Sequence, residues 1–266
     1  MLFRSHACAR LADGTARCWG LNTNGQVGNG TMVSPAGPVG VVTAVGVPLT
    51  GVLSVVAGSA HTCAALTNGA VRCWGLNNSG QLGDGLVTNR SLASATVVGV
   101  ATATQITAGS GHTCARLADG TARCWGLNTS GQVGNGTVAP ATTPAISSPA
   151  TVLSAAGVPL TGVVQIAAGG NNSCATLTSG IIRCWGPNGN GQLGTGTTSV
   201  TPTALASTNV AGINSATGVT VGTNYSLGLA TSSTLGVSVN GWGVNSGGQL
   251  GDGTVTQRVT PALTLV

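Results

Sequence analysis

Eight cysteines carry the most specific chemistry in this sequence, and they fall into four pairs, Cys8/Cys18, Cys63/Cys73, Cys114/Cys124 and Cys174/Cys184, each ten residues apart. A constant interval across a short turn suits a disulfide that staples the two strands of a hairpin. Two other readings use the same residues: buried unpaired thiols, and a metal site drawing on His6, His61 or His112, each two residues before a cysteine. The metal reading offers three ligands in a spacing that matches no common zinc motif. Disulfides are the simplest account. The remaining titratable side chains that could act as acid or base are three His and four Asp. An enzyme needs such groups to converge, whereas these recur at equivalent places: the three His match one another, Asp13 matches Asp119, and Asp84 matches Asp252. Recurrence gives each a structural role, as a turn former or a hydrogen bonder between repeats. No catalytic residue, cofactor site or metal ligand is assigned.

The elements that must position these residues repeat along the chain. Tryptophans at 19, 74, 125, 185 and 242 are separated by 55, 51, 60 and 57 residues. Each is followed at a nearly fixed distance by Gly-Gln, from Gly25/Gln26 to Gly248/Gln249, and then by Gly-x-Gly, from Gly28-Asn29-Gly30 to Gly251-Asp252-Gly253. Those glycine turns lack the lysine and the strand-to-helix context of a phosphate-cradling loop. Ahead of each tryptophan lie two short strand candidates, such as 61–66 and 70–74, separated by Thr67-Asn68-Gly69. Asn-Gly there supplies the positive φ angles of a tight hairpin. An apolar opening strand is expected at Val52 to Ala57, Gln105 to Ala108, Val163 to Ala168 and Thr217 to Val221, and a fourth strand around Val39 to Val42 and Val97 to Val100. Four short strands in about 55 residues make one blade of a β-propeller. The expected fold is all-β, with four-stranded antiparallel blades in repeat units of approximately 1–50, 51–103, 104–161, 162–216 and 217–266, forming one domain. The fifth unit carries Leu227 and Gly241 where the others carry cysteine, a joint loss that a bonded pair predicts.

Composition narrows the partners. Of 266 residues, 44 are Gly, 9 are Arg, 4 are Asp, and neither Lys nor Glu occurs. The arginines are scattered, with no two adjacent, which argues against nucleic acid as a partner. No apolar run reaches the length of a membrane span. Disulfides belong to oxidising compartments, yet the first motif starts at Ser5 and leaves no room for a signal peptide. The first unit also opens at its second strand. The expectation is an N-terminally truncated sequence whose complete form carries the missing strand and an export signal, placing the protein outside the cell, in a periplasm or at a cell surface.

The run Gly111-His112-Thr113-Cys114-Ala115-Arg116-Leu117-Ala118-Asp119-Gly120, followed by Arg123-Cys124-Trp125-Gly126-Leu127-Asn128 and Gly131-Gln132-Val133-Gly134-Asn135-Gly136, resembles the repeat of the regulator of chromosome condensation family. The paired cysteines resemble the version in exported bacterial proteins. The resemblance covers nearly the whole chain, with a degenerate last copy. It implies a propeller, usually of seven blades, of which five repeats would be a part. Relatives include a nuclear guanine-nucleotide exchange factor that also binds chromatin and a secreted bacterial β-lactamase inhibitor. Exchange activity relies on an acidic, polar face, for which four Asp offer little material. A propeller carries unrelated functions on one scaffold. The expected function is a noncatalytic protein-binding module that recognises another protein through its variable loops. The alternatives are a structural or adhesive repeat contacting cell-wall polysaccharide, or an accessory domain of a larger enzyme.

Overall fold

The computed structural model describes residues 5–140, 142–143, 145–155, 157–199, 208–232 and 236–265. Among them every regular element is a strand. The first sheet holds β1 (His6–Arg10), β2 (Ala16–Gly20) and β3 (Val39–Gly40), and a small hairpin of β4 (Val42–Ala44) and β5 (Val47–Pro48) follows. Four four-stranded sheets come next: β6 (Val52–Ala57) to β7 (His61–Leu66), β8 (Val71–Gly75) and β9 (Arg90–Thr96); then β10 (Ala103–Ala108), β11 (His112–Leu117), β12 (Ala122–Leu127) and β13 (Ala145–Thr151). The fourth repeat gives β14 (Val163–Gly169), β15 (Asn172–Leu177), β16 (Ile182–Trp185) and β17 (Thr208–Asn209), and the fifth gives β18 (Ala216–Val221), β19 (Tyr225–Ser232), β20 (Gly236–Gly243) and β21 (Arg258–Leu263). In each sheet the strands lie in chain order, and the pairing is antiparallel. Each opening strand from β6 onward carries the same register shift one residue in, at Val52/Ser54, Ala103/Gln105, Val163/Gln165 and Ala216/Gly218. A bulge at a fixed place strengthens the twist of every sheet alike.

The chain divides into two compact units. The first runs through Ala118 and includes Arg123–Leu127, and the second holds the last two sheets. Within each, the core lies between neighbouring sheets. In the first unit, Cys18, Val27, Leu49, Val52, Ala64 and Trp74 pack between the first two sheets, and Cys73, Leu82, Ile106, Ala115 and Trp125 between the second and third. In the second, Ile182, Cys184, Leu193, Val219 and Trp242 do the same. A sheet of four short strands cannot bury an apolar face alone, so each repeat depends on its neighbour.

Two local expectations need correction. Beyond β8 the fourth strand is β9, which ends at Thr96, before the valine-rich run. Small Ala93 and Ala95 are the buried residues of β9, while Val97 and Val100 drop into the core beyond the strand end. The β-branched residues drew the sequence reading, but small side chains fit beside the disulfide. The hairpin turn also differs. Gly69 takes φ of 81°, and Asn68 is not left-handed. The N–H of Gly69 donates to Leu66 O, and the N–H of Leu66 donates to Ala70 O. The three-residue separation holds, but only the glycine is left-handed, so Asn-Gly does not supply two positive φ angles there.

Candidate functional site

The four cysteine pairs form disulfides, Cys8–Cys18, Cys63–Cys73, Cys114–Cys124 and Cys174–Cys184, and no free cysteine is present among the described residues. Cross-strand register puts Cys8 opposite Cys18, Cys63 opposite Cys73 and Cys174 opposite Cys184. In the fifth repeat Leu227 faces Gly241 at the same register position, and the leucine side chain lies over the glycine, where a Cβ would meet Leu227 Cδ2 at 3.1 Å. Among the described residues no three His, Cys, Asp or Glu side chains gather as a metal set. Seven of the eight cysteines are fully buried, and Cys8 alone is only partly covered, which leaves the Cys8–Cys18 bond the most accessible of the four. Thiol exchange needs an attacking thiolate to reach a sulfur. Under mild reductant with timed alkylation, Cys8 and Cys18 are therefore expected to label first. Simultaneous opening of all four bonds would contradict this.

The repeats are joined by a recurring polar lattice. The indole N–H of Trp74 donates to Gln26 O at 2.9 Å, Trp125 to Gln81 O at 3.0 Å, Trp185 to Gln132 O at 3.0 Å and Trp242 to Gln192 O at 2.9 Å. Each ring lies on a glycine of the preceding repeat: a Cβ on Gly28, Gly83, Gly134 or Gly194 would sit 2.6 to 2.9 Å from the indole. The same Gln carbonyls accept a hydroxyl, from Thr62 at 2.7 Å and Thr113 at 3.0 Å. Those hydroxyls stand 2.8 Å from His6 Nε2 and 2.9 Å from His61 Nε2. Because each threonine gives its one proton to a carbonyl, its oxygen accepts from the imidazole, which fixes the Nε2–H tautomer. In the last joint Asn172 Nδ2 donates to Ser226 Oγ at 3.4 Å. Burial holds the histidines neutral: His61 is pushed down to about 3 and His112 to about 4, and His6 is lowered for the same reason. His6 and His61 thus serve as donors between repeats.

A second lattice was not foreseen from the sequence. An asparagine recurs three residues after each tryptophan, at Asn22, Asn77, Asn128, Asn188 and Asn245, and all five are buried. Its Oδ1 accepts the N–H of the apolar residue after Gln, as in Asn77 with Leu82 at 2.9 Å, and its Nδ2 donates to loop carbonyls such as Leu86 and Thr88. The signal was the fixed spacing; most of the partners are backbone groups, which leave no trace in side-chain identity, and the side-chain partner is the Asn or Asp in the middle of Gly-x-Gly, as in Asn22 with Asn29 and Asn128 with Asn135. Asp84 and Asp252 also do more than form turns. Asp84 accepts from Asn77 Nδ2 and pairs with Arg90 at 3.1 Å; Asp252 accepts from Asn245 Nδ2 and pairs with Arg258 at 2.6 Å. The Thr254 hydroxyl and Arg258 hold the Asp252 carboxyl below the ordinary carboxylate range. Asp13 is lowered by the Thr15 N–H and hydroxyl.

With these groups committed to the scaffold, the segments that vary between copies hold the distinctive surface. Between residues 31 and 51, Met32, Val33, Val45 and Val47 are exposed, Val45 by 90% and Val33 by 74%. Leu86 and Val87 are exposed in the next repeat, as is Val158 in a later one. In the second unit a cleft of about 460 Å³ is lined by Asn214, Ser215, Thr231, Ser238 and Asn240, beside Ile213 and Ala230. Among the described residues no helix is long and apolar enough to cross a membrane.

Family models for the regulator of chromosome condensation (RCC1) repeat match residues 4–26, 52–81, 103–132 and 163–192, and a second model of the same repeat matches 119–176. The chain belongs to the RCC1 repeat family. A human probable E3 ubiquitin-protein ligase, HERC4, is 34% identical over 203 residues, 73% of this chain and 18% of that protein. The ultraviolet-B receptor UVR8 of Arabidopsis thaliana is 26% identical over 264 residues, 97% of this chain and 56% of that one. The RCC1 fold extends beyond the matched repeats: human WBSCR16 superposes over 98% of this chain with a TM-score of 0.76, and yeast RCC1 (Prp20) bound to Kap60 over 99% with 0.72, each 19% identical. This chain covers 65% and 60% of those two. The all-β repeat of antiparallel four-stranded sheets is thus the blade of an RCC1 β-propeller.

Proposed function

We propose that this chain is a noncatalytic protein-binding propeller domain of an exported protein, recognising its partner through the variable segments between strands. The observation that carries the reading is the set of aliphatic side chains left in water on those segments, Met32, Val33, Val45, Val47, Leu86 and Val87. Exposed apolar residues grouped on variable loops are characteristic of surfaces that another protein covers. Two further features support it: the histidines and aspartates of the repeat are spent on scaffold hydrogen bonds, and the yeast neighbour is seen bound to a protein, Kap60. Export rests on the disulfides, which persist in oxidising surroundings.

Crosslinking of the oxidised chain in its native extracellular medium, followed by affinity measurement with the recovered protein, tests this. Wild type is expected to bind, and a Val33→Glu/Val45→Glu variant to lose at least tenfold in affinity with unchanged far-ultraviolet circular dichroism. Equal affinity of the variant would refute loop recognition. A second reading, contact with neutral polysaccharide, draws on the amide and hydroxyl lining of the cleft at Asn214, Ser215 and Asn240. Glycan-array binding lost on Asn240→Ala would favour it instead.

A further inference from the structure

Two positions on the central strands of the repeats hold one residue type four times and change together in the fifth. Three residues after the first cysteine position stands leucine, at Leu11, Leu66, Leu117 and Leu177, and Ala230 takes that place in the fifth repeat. Directly before the second cysteine position stands arginine, at Arg17, Arg72, Arg123 and Arg183, and there the fifth repeat has Asn240. Strand register agrees. Ala230 pairs with Ala216 at the start of its opening strand, as Leu66 does with Val52, Leu117 with Ala103 and Leu177 with Val163. Asn240 lies opposite Gly228 as Arg72 lies opposite Ala64 and Arg183 opposite Ala175.

Both shortened side chains line the cleft of about 460 Å³ in the second unit. Elsewhere these positions are occupied by larger groups: Leu117 is buried, Leu66 packs against the core of the first two sheets, and Arg72 Nη1 donates to Ser94 O at 2.9 Å. Where the other repeats place leucine and arginine, the fifth leaves open space.

The polar groups around that space are uncharged and mostly turned to accept. The Ser215 hydroxyl donates to Thr231 O, the Thr231 hydroxyl to Ser215 O at 3.3 Å, and the Ser238 hydroxyl to Ala230 O at 3.4 Å. Asn240 Nδ2 donates to Ser238 Oγ at 3.3 Å, while its Oδ1 accepts no hydrogen bond among the described residues. The exposed Asn214 amide offers both donors and an acceptor. Ile213 and Ala230 form an apolar floor. No titratable side chain lines the cleft, so a bound ion would lose water without gaining a counter-charge, and an anion would also face oxygen lone pairs. A ligand with several hydroxyls and no charge fits: its O–H groups give to these oxygens and receive from Asn214, and a C–H face lies on Ile213 and Ala230. The volume is that of a small-molecule site.

We infer that the cleft of the fifth repeat binds a neutral mono- or disaccharide in the space vacated by leucine and arginine. This site rests on the polysaccharide reading above, is confined to one repeat, and involves none of the exposed valines of 31–51.

Titration of the isotope-labelled, oxidised chain with glucose, galactose and cellobiose, followed by amide chemical shifts, tests this. At least one of them is expected to shift the amides of 212–215 and 238–240 saturably, and glucuronate and galacturonate to bind at least fivefold more weakly than the neutral sugar. Ala230→Leu/Asn240→Arg restores the pair that four repeats carry, so it should keep the wild-type far-ultraviolet circular dichroism and lose at least tenfold in affinity. Should it misfold, Asn214→Ala, a change at an exposed side chain, decides the matter by weakening binding at least threefold. Unchanged affinity in the filled variant would overturn the site while leaving polysaccharide contact elsewhere on the chain intact. No shift with any of the three sugars would overturn the site as well, and only an empty glycan array would remove the polysaccharide reading with it. Tighter binding of N-acetylarginine amide than of any sugar would also overturn it, because the slot would then take a partner's guanidinium where its own arginine is replaced.

Discussion

Trp125→Ala should lower unfolding free energy by about 3–5 kcal/mol, the range for emptying a buried large aromatic site, whereas Trp19→Ala should change it by less than about 1 kcal/mol. The two residues are equivalent in sequence. Trp125 is fully enclosed between the second and third sheets, with its N–H on Gln81 O, and Trp19 is not. Gly83→Ala attacks the same joint from the other side: its φ of 70° disfavours any side chain, and the new methyl would lie 2.7 Å from Trp125 Nε1. Left-handed backbone alone costs about 1–2 kcal/mol, and the indole cannot retreat without breaking its hydrogen bond. Once Trp125 is gone the methyl has room, so the double variant should be more stable than the sum of the single losses predicts, by at least about 1 kcal/mol. Denaturant unfolding followed by circular dichroism checks the cycle. Additive losses, or a Trp125→Ala loss as small as that of Trp19→Ala, would show that the joint is not the unit of stability.

That contrast marks how much of the molecule was legible in its sequence. Repetition displayed the blades, because a glycine that must clear an indole and a cysteine that must face its partner leave the same letter in each copy. It could not distinguish Trp19 from Trp74, since exposure depends on what a neighbouring repeat supplies. The asparagine lattice escaped because most of its partners are backbone N–H and carbonyl groups. The fourth strand of the second repeat was misplaced because Val97 to Val100 has the stronger strand propensity, but Ala93 and Ala95 have the size that the sheet interior accepts. The surface was least legible. The exposed valines of 31–51 sit among turn residues with no period, and only the fold separates Val45, in water, from Val41, in the core.

The buried histidines make stability fall in acid, and one repeat already holds the substitution that relieves it. His61 and His112 are neutral in the folded chain, with values near 3 and 4, and regain an ordinary value of 6.5 on unfolding. Below pH 6.5 the unfolded chain therefore binds protons that the folded chain refuses, and stability drops as pH falls, until about pH 4 for His112 and about pH 3 for His61. Each contributes a slope approaching about 1.4 kcal/mol per pH unit inside its window. His6, lowered in the same direction, adds to the slope. Asp13 and Asp252, whose carboxyls are held low, begin to add their own loss only when the pH nears the ordinary carboxylate range. Between pH 6 and 4.5 the histidines thus dominate. In the fourth repeat Asn172 occupies the histidine position and donates to Ser226 through an amide that does not titrate. His61→Asn should therefore fold, keep a donor to Thr113, and remove between about a third and a half of the stability loss measured by denaturant midpoints between pH 6 and 4.5, since His112 and His6 keep theirs. A wild-type midpoint that stays flat over that interval, or a variant that declines as steeply as wild type, would mean that His61 is protonated inside the fold and that the imidazole-to-threonine bond is not the one holding the second and third repeats together.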